Sequence, residues 1–344
     1  MSEVMYTLAY STQHPKIDQI LQGVIGVFEK VFLGRIRGYY LQGSYGNGNA
    51  ITNSDLDLYV IFKGNFHDPE EAKKAMSLGQ SCAQISSVLL EIKPGAEAAL
   101  SLALAENAGI ALNFKHSTQF LYGEDIRNQI SNPTSKDWVQ WAMHAPQTAL
   151  LVTRAAEVLI FPLDYPDVQA EFYGYEHQTI PCADGINRPS SKWLVSTVSW
   201  LATALVALKT GQYIGSKQEA VEQYKMSIND EWAPLIEQVY ERCRNRWQYL
   251  IPTQAADRQQ LRSMCQETLE FSNYFLSCYR DFVLRELYEA RPKNQILTLK
   301  KLARIIYPED PEIINALKRL QKSDQVMLKQ KAHEIEENTR RILG

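Results

Sequence analysis

Apolar residues recur at helical spacing over Ile17–Phe32 (IDQILQGVIGVFEKVF), which predicts an amphipathic helix near the start of the chain. The period then changes. Ile36–Leu41 (IRGYYL) and Leu56–Phe62 (LDLYVIF) are short, rich in β-formers and separated by Gly and Asn, the pattern of two strands joined by a loop. At Asp68 the run Asp-Pro-Glu-Glu supplies an N-cap, a proline in the first turn and acids beside it, so a helix is predicted from there to Ser87. Val88–Lys93 (VLLEIK) and Ile110–Lys115 (IALNFK) read as two further strands. Pro94-Gly95 is expected to end the first, and a helix is predicted over Glu97–Asn107 between them.

Beyond Arg127 the strand signals nearly vanish. Helices are predicted over Trp138–Ile160, Trp193–Lys209, Ser216–Tyr224, Glu231–Tyr249, Ala256–Tyr288, Thr298–Tyr307 and Pro311–Leu343. Pro133, Pro162, the Pro181–Ser190 loop, Pro252 and Pro292 mark the breaks. The expected fold class is α+β: a small mixed-sheet domain over residues 1–130, then an all-helical domain over 131–344. No internal repeat or low-complexity tract is visible.

Composition narrows the function classes. A chain of 344 residues that is 45% hydrophobic can bury two ordinary cores. Lys+Arg 36 against Asp+Glu 39 gives −3, which lacks the basic footprint of a dedicated nucleic-acid binder. The most apolar run, Trp193–Leu208, falls short of a membrane span and carries Ser and Thr, so a buried helix is expected and no membrane partner. Trp193 and Trp200, seven residues apart, belong to that core face. The start of the chain shows no cationic-then-apolar leader. Five scattered cysteines and six dispersed histidines have no metal-pair spacing, which fits a reduced, cytoplasmic chain without a zinc site.

The chemistry concentrates in Leu41–Phe62, LQGSYGNGNAITNSDLDLYVIF. Gly43-Ser44 follows a predicted strand, and Gly46 and Gly48 keep the next turn free of Cβ atoms, so backbone N–H groups can face an anion. The Ser44 hydroxyl can add a bond to a phosphate oxygen. Asp55 and Asp57 alternate around Leu56, which places both carboxylates on one strand face, where they repel unless a cation lies between them. Hard oxygen donors favour magnesium, which binds through one or two carboxylates together with substrate phosphates.

The pattern Leu41-Gly43-Ser44, ten residues, then Asp55-Leu56-Asp57-Leu58 resembles the signature of the DNA polymerase β-like nucleotidyltransferase superfamily. That resemblance implies a minimal mixed sheet, two magnesium ions and transfer of a nucleoside monophosphate from a nucleoside triphosphate. It also implies a third acid on a later strand, as metal ligand or base. Glu91 in LLEIK is the best candidate, because a carboxylate among apolar strand neighbours is costly without a metal or a lysine partner. Glu97 and Asn113 are the other positions where a third ligand could fall, although Asn113 cannot be a base. Leu121–Asp125 (LYGED) looks like the ending of such a domain.

The helical half is similar, over Leu205–Ile236, to the C-terminal domain of streptomycin/spectinomycin aminoglycoside adenylyltransferases. The pieces are Lys209-Thr210-Gly211, Ser216-Lys217 with Glu219-Ala220, and Glu231–Ile236. This implies that Lys217 reaches the triphosphate as a point charge. Where those enzymes carry an arginine thirteen residues earlier, this chain has Ala204, and Arg188 or Lys192 would have to substitute. Glu176, His177 and Asp184 could rim a site for a cationic acceptor. The resemblances together imply an adenylyltransferase-like enzyme that uses a nucleoside triphosphate, with ATP favoured, and a small-molecule hydroxyl as acceptor. A protein acceptor and a catalytically silent nucleotide-binding module remain as alternatives.

Overall fold

The computed structural model describes residues 6–182 and 185–343 of the chain. The fold is α+β, with a mixed four-stranded sheet in the first part and mostly helices after it. Two compact units are present: the first runs to Trp141 and also takes in Ile180–Arg188 and Thr210–Gln223, and the second holds Ala142–Thr179, Pro189–Lys209 and the chain from Tyr224 onward.

In the first unit, helix α1 (Pro15–Val31) leads into strand β1 (Ile36–Gln42), and a single helical turn, α2 (Gly43–Gly46), follows that strand. Strand β2 (Leu56–Phe62) returns antiparallel to β1, with Leu41 opposite Leu58 and Gln42 opposite Asp57. Helix α3 (Pro69–Ile85) crosses to strand β3 (Leu90–Ala96), which lies parallel to β2. The Asp68 carboxylate accepts from the Glu71 N–H at 2.8 Å, the cap that the sequence announces. Strand order is β3-β2-β1-β4, where β4 is Thr118–Gly123.

The period of two sorts the sheet's faces. Leu56, Leu58, Val60 and Phe62 turn to one side, where Leu21, Ile25 and Phe28 of α1 and Ala75 of α3 complete a buried cluster. Tyr40 and Ile61 turn to the other, against Phe114 and Ile126. Asp57 and Tyr59 alternate with the first set, so they share the second face.

Two expectations fail here. Ile110–Lys115 is not a strand but part of helix α5 (Ala108–His116), which follows helix α4 (Glu97–Glu106). The alternation in IALNFK is real, but Asn107 accepts from the Ile110 N–H at 3.0 Å and starts a helix, and that helix buries Gly109, Leu112 and Phe114 against the sheet and its neighbours. The fourth strand is instead TQFLYG, just after it. Pro94-Gly95 also does not end β3, which continues to Ala96. β3 is an edge strand, the place in a sheet where a proline is tolerated.

The second unit is built around helix α11 (Ala255–Glu289), with α12 (Pro292–Leu302), α13 (Pro311–Leu320) and α14 (Val326–Leu343) after it. Several long helices that the pattern predicts are divided. Trp138–Ile160 becomes α6 (Ser135–His144) and α7 (Pro146–Thr153), then a two-residue strand, Leu159–Ile160, paired with Ile305–Ile306. Glu231–Tyr249 becomes α10 (Ala233–Gln238) and a π-helical stretch, Val239–Arg246. Helix α8 (Lys192–Thr210) is apolar and long enough to cross a membrane, yet 67% of its most apolar window is buried within the protein, which makes it a core helix. All five cysteines are free thiols.

His144 ends α6 inside this unit, 3% exposed, with Nδ1 2.8 Å from the Tyr279 hydroxyl and its ring edge-on to Tyr279 and Phe282. Burial pushes its pKa down to about 3. The native state therefore holds this ring neutral, while an unfolded chain protonates it near its ordinary value. Stability is complete above that unfolded pKa and is lost as pH falls from there toward 3, at up to about 1.4 kcal/mol per pH unit. Chemical-denaturation curves across this window should show that slope. The variant His144→Asn, which keeps a partner for Tyr279, should flatten it by about one proton.

Candidate active site

The sheet register brings the sequence-selected acids together. β2 and β3 are parallel with Asp57 opposite Glu91 and Tyr59 opposite Lys93. Period-two alternation then turns Asp57, Tyr59, Glu91 and Lys93 to the same face. The Lys93 ammonium donates to Asp57 Oδ1 at 2.9 Å and lies 3.1 Å from Glu91 Oε2, over the Tyr59 ring at 5.6 Å. Asp55 stands just before β2, near enough to raise the Asp57 pKa through its charge.

Burial pushes the Asp57 carboxyl above its ordinary value, Lys93 pulls it back, and the neighbouring Asp55 and Glu91 carboxylates, the second as acceptor for the protonated Asp57, add to the rise. Burial alone would lower Lys93, but Asp57 and Glu91 hold it well above the usual lysine range, so it is a fixed positive charge at neutral pH. Asp57 is the enclosed member of the pair, at 18% side-chain exposure against 60% for Glu91. Lys93 is the site residue that sequence reasoning missed. Its signal was present: in LEIK it stands two residues after Glu91 and therefore on the same face.

Gly43 begins α2 at φ +77°, a left-handed conformation that glycine adopts without strain. A Cβ placed there would lie 3.1 Å from Asp57 Oδ2, so the turn and the carboxylate are in direct proximity. Ser44 is the next residue of that turn. Of the other candidates for a third acid, Glu97 lies elsewhere: it pairs with Arg37 at 3.2 Å and accepts from the Gly64 N–H beyond the far end of β2. The Asn113 side chain accepts from the Tyr213 hydroxyl.

Lys217, at the start of α9 (Lys217–Ser227), belongs to the same compact unit as the sheet. Three contacts fasten its segment there. Ser117 Oγ lies 2.6 Å from the Tyr213 hydroxyl, that hydroxyl donates to Asn113 Oδ1 at 2.7 Å, and Trp138 Nε1 donates to the Gln212 carbonyl at 2.6 Å. Ser216 caps α9 by accepting from the Glu219 N–H, and Glu219 in return accepts from the Gly215 N–H at 2.8 Å. A cavity of about 720 Å³ lies between this segment and the glycine turn, lined by Gly46, Asn47, Gln119, Tyr213, Ser216 and Glu219 among others. It lies on the β1/β4 side of the turn, and none of Asp57, Glu91 and Lys93 lines it. Tyr213→Phe removes the hydroxyl that ties Ser117 and Asn113 together, and should cost about 1–2 kcal/mol of stability in a denaturant titration.

Ala204 is fully buried in α8, so a core alanine stands where the resemblance has an arginine. Glu176 accepts from the Phe172 and Gly174 N–H groups at 3.0 Å each and thereby closes a turn. His177 lies 3.5 Å from Asp167, and Asp184 is outside the described residues.

No family model and no curated protein matches this chain. Among solved structures it is similar to the spectinomycin adenyltransferase AAD(9) from Enterococcus faecialis, solved with ATP and spectinomycin. The identity is 13% and the TM-score 0.44, over 74% of this chain and 98% of that one. At this distance the functional reading rests on the residues of the site.

Proposed function

We propose that the chain is a nucleotidyltransferase of the adenylyltransferase type. It moves a nucleoside monophosphate, AMP from ATP, to a hydroxyl of a small molecule and releases pyrophosphate. The observation that carries this reading is the apposition of the Gly43-Ser44 turn with the Asp57 carboxylate, a phosphate-cradling backbone beside a paired acid.

Asp55 and Asp57 are hard oxygen donors next to each other at the head of β2, a set that suits magnesium arriving on phosphate oxygens. Among the described residues no group of three or more His, Cys, Asp or Glu side chains is already gathered to hold a metal ion, so this pair would share the ion with the phosphates. Bound there, the ion would neutralise phosphate charge and make the attacking hydroxyl more acidic. The turn's N–H groups and the Ser44 hydroxyl orient the phosphates. Glu91, the wetter acid, completes the carboxylate set and takes the acceptor's proton. Lys217 offsets the charge of the departing pyrophosphate. The hydroxyls and amides of the cavity lining, with Glu219 and His116 among them, suit a polar small molecule, and its volume falls in the usual range for such sites.

One observation favours a second reading, a catalytically silent nucleotide-binding module: Lys93 already pairs with both Asp57 and Glu91. Incubation with labelled ATP, CTP, GTP and UTP plus magnesium, against protein, RNA and metabolite fractions, separates the two. Transfer of label to a metabolite fraction with pyrophosphate release is the expected result. Label on protein moves the acceptor to the protein class. Nucleotide binding with no transfer to any fraction rejects the enzyme reading.

A further inference from the structure

The carboxylates that would hold a divalent ion already share a cation of the chain's own. Lys93 reaches Asp57 Oδ1 at 2.9 Å and Glu91 Oε2 at 3.1 Å, and the aromatic face of Tyr59 lies 5.6 Å from its nitrogen. All four residues are set by strand register and not by a loop: 57 opposite 91, 59 opposite 93. The Lys93 side chain is half-buried, at 35% exposure. A small divalent cation approaching Asp57 therefore meets a fixed positive charge on one of that group's two oxygens. It also finds Glu91 engaged by the same lysine.

We propose that Lys93 is a positioning residue that keeps free divalent ions out of the site, so that metal is admitted only with a polyphosphate that carries it. The inference rests on the carboxylates being the metal-binding acids of the proposed nucleotidyltransferase, but its consequence is seen without any turnover. In the free protein Lys93 supplies the charge that relieves the repulsion between Asp57 and its acidic neighbours. A lone ion gains too little by replacing it. An ion already bound to a triphosphate brings further contacts, to the Gly43-Ser44 turn, that can offset displacement of the ammonium.

The test is titration of the full chain with manganese alone, no nucleotide present, following the free-ion signal by electron paramagnetic resonance. The wild type should show no saturable site. Lys93→Met should open one, binding manganese at least tenfold tighter than the wild type, and Lys93→Gln should do the same should the methionine variant fold poorly. Lys93→Arg keeps the charge and should stay closed. Asp57→Asn introduced into the Lys93→Met background should abolish the gained binding. Wild-type binding as tight as that of Lys93→Met, or a gain that survives loss of Asp57, overturns the proposal. Nucleotide transfer is measured separately, so an inactive protein whose Lys93→Met variant gains manganese refutes the enzyme reading and leaves this one standing.

Discussion

Replacing Asp57 by asparagine should lower the rate of magnesium-dependent pyrophosphate release by about a hundredfold to a thousandfold, the loss found when one preorganised charge-stabilising group is removed from a reaction centre. The change keeps the shape of the side chain and removes its charge. Its effect on folding should be small for a reason visible in the site: Lys93 loses one partner but retains Glu91 at 3.1 Å, while burial of a charged carboxylate among like charges is relieved. A melting temperature within about 2–4 °C of the wild type, corresponding to roughly 1 kcal/mol in a chain of this size, is the expected control. Full activity in this variant would remove Asp57 from the chemistry. A collapse in stability of the same size as the loss in rate would make it a structural acid.

Gly123→Ala should be the most damaging single change to the first unit. Gly123 sits at φ +97° opposite Gly38, and a Cβ there would stand 2.5 Å from the Arg37 carbonyl oxygen and 2.9 Å from Gly38 Cα. The constraint is mutual, because a Cβ on Gly38 would meet the Glu124 carbonyl at 2.8 Å. These are backbone atoms of β1 and of the residue following β4, so no side chain can rotate away. The sheet must part or the bulge between Tyr39 and Tyr40 must shift. Backbone strain and overpacking together should cost about 3 kcal/mol or more, read as a melting temperature about 6–12 °C lower. Gly34→Ala is the control: its φ is +69° but nothing lies within 4 Å, so only about 1 kcal/mol should be lost. Equal effects in both variants would mean that the left-handed backbone, and not the close approach, is what glycine serves.

Much of this arrangement is legible in local pattern. The helices at α1, α3 and α11, the strands β1 and β2, and the cap at Asp68 all follow from apolar period and turn chemistry that neighbouring residues supply. The failures share a cause. Ile110–Lys115 satisfies both a strand and a helix template, and a six-residue run cannot choose between them without knowing what lies beside it. Its buried residues face elements distant in the chain. Pro94 is ambiguous for the same reason: a proline stops a central strand but not an edge strand, and edge position is a property of the sheet.

By itself the chain determined where its acids and glycines fall, the α+β class and the helical second half, because those depend on residue type and on spacing within a few positions. Tertiary structure decided which acids meet and what lies between them. Parallel pairing of β2 with β3 is a contact between segments more than thirty residues apart, and its register sets Asp57 against Glu91. Chain reversal likewise returns Thr210–Gln223 to the unit that holds the sheet. A carboxylate's chemistry follows from its nearest charges. Lys93 is two residues from one of its partners and thirty-six from the other, so only folding could join all three.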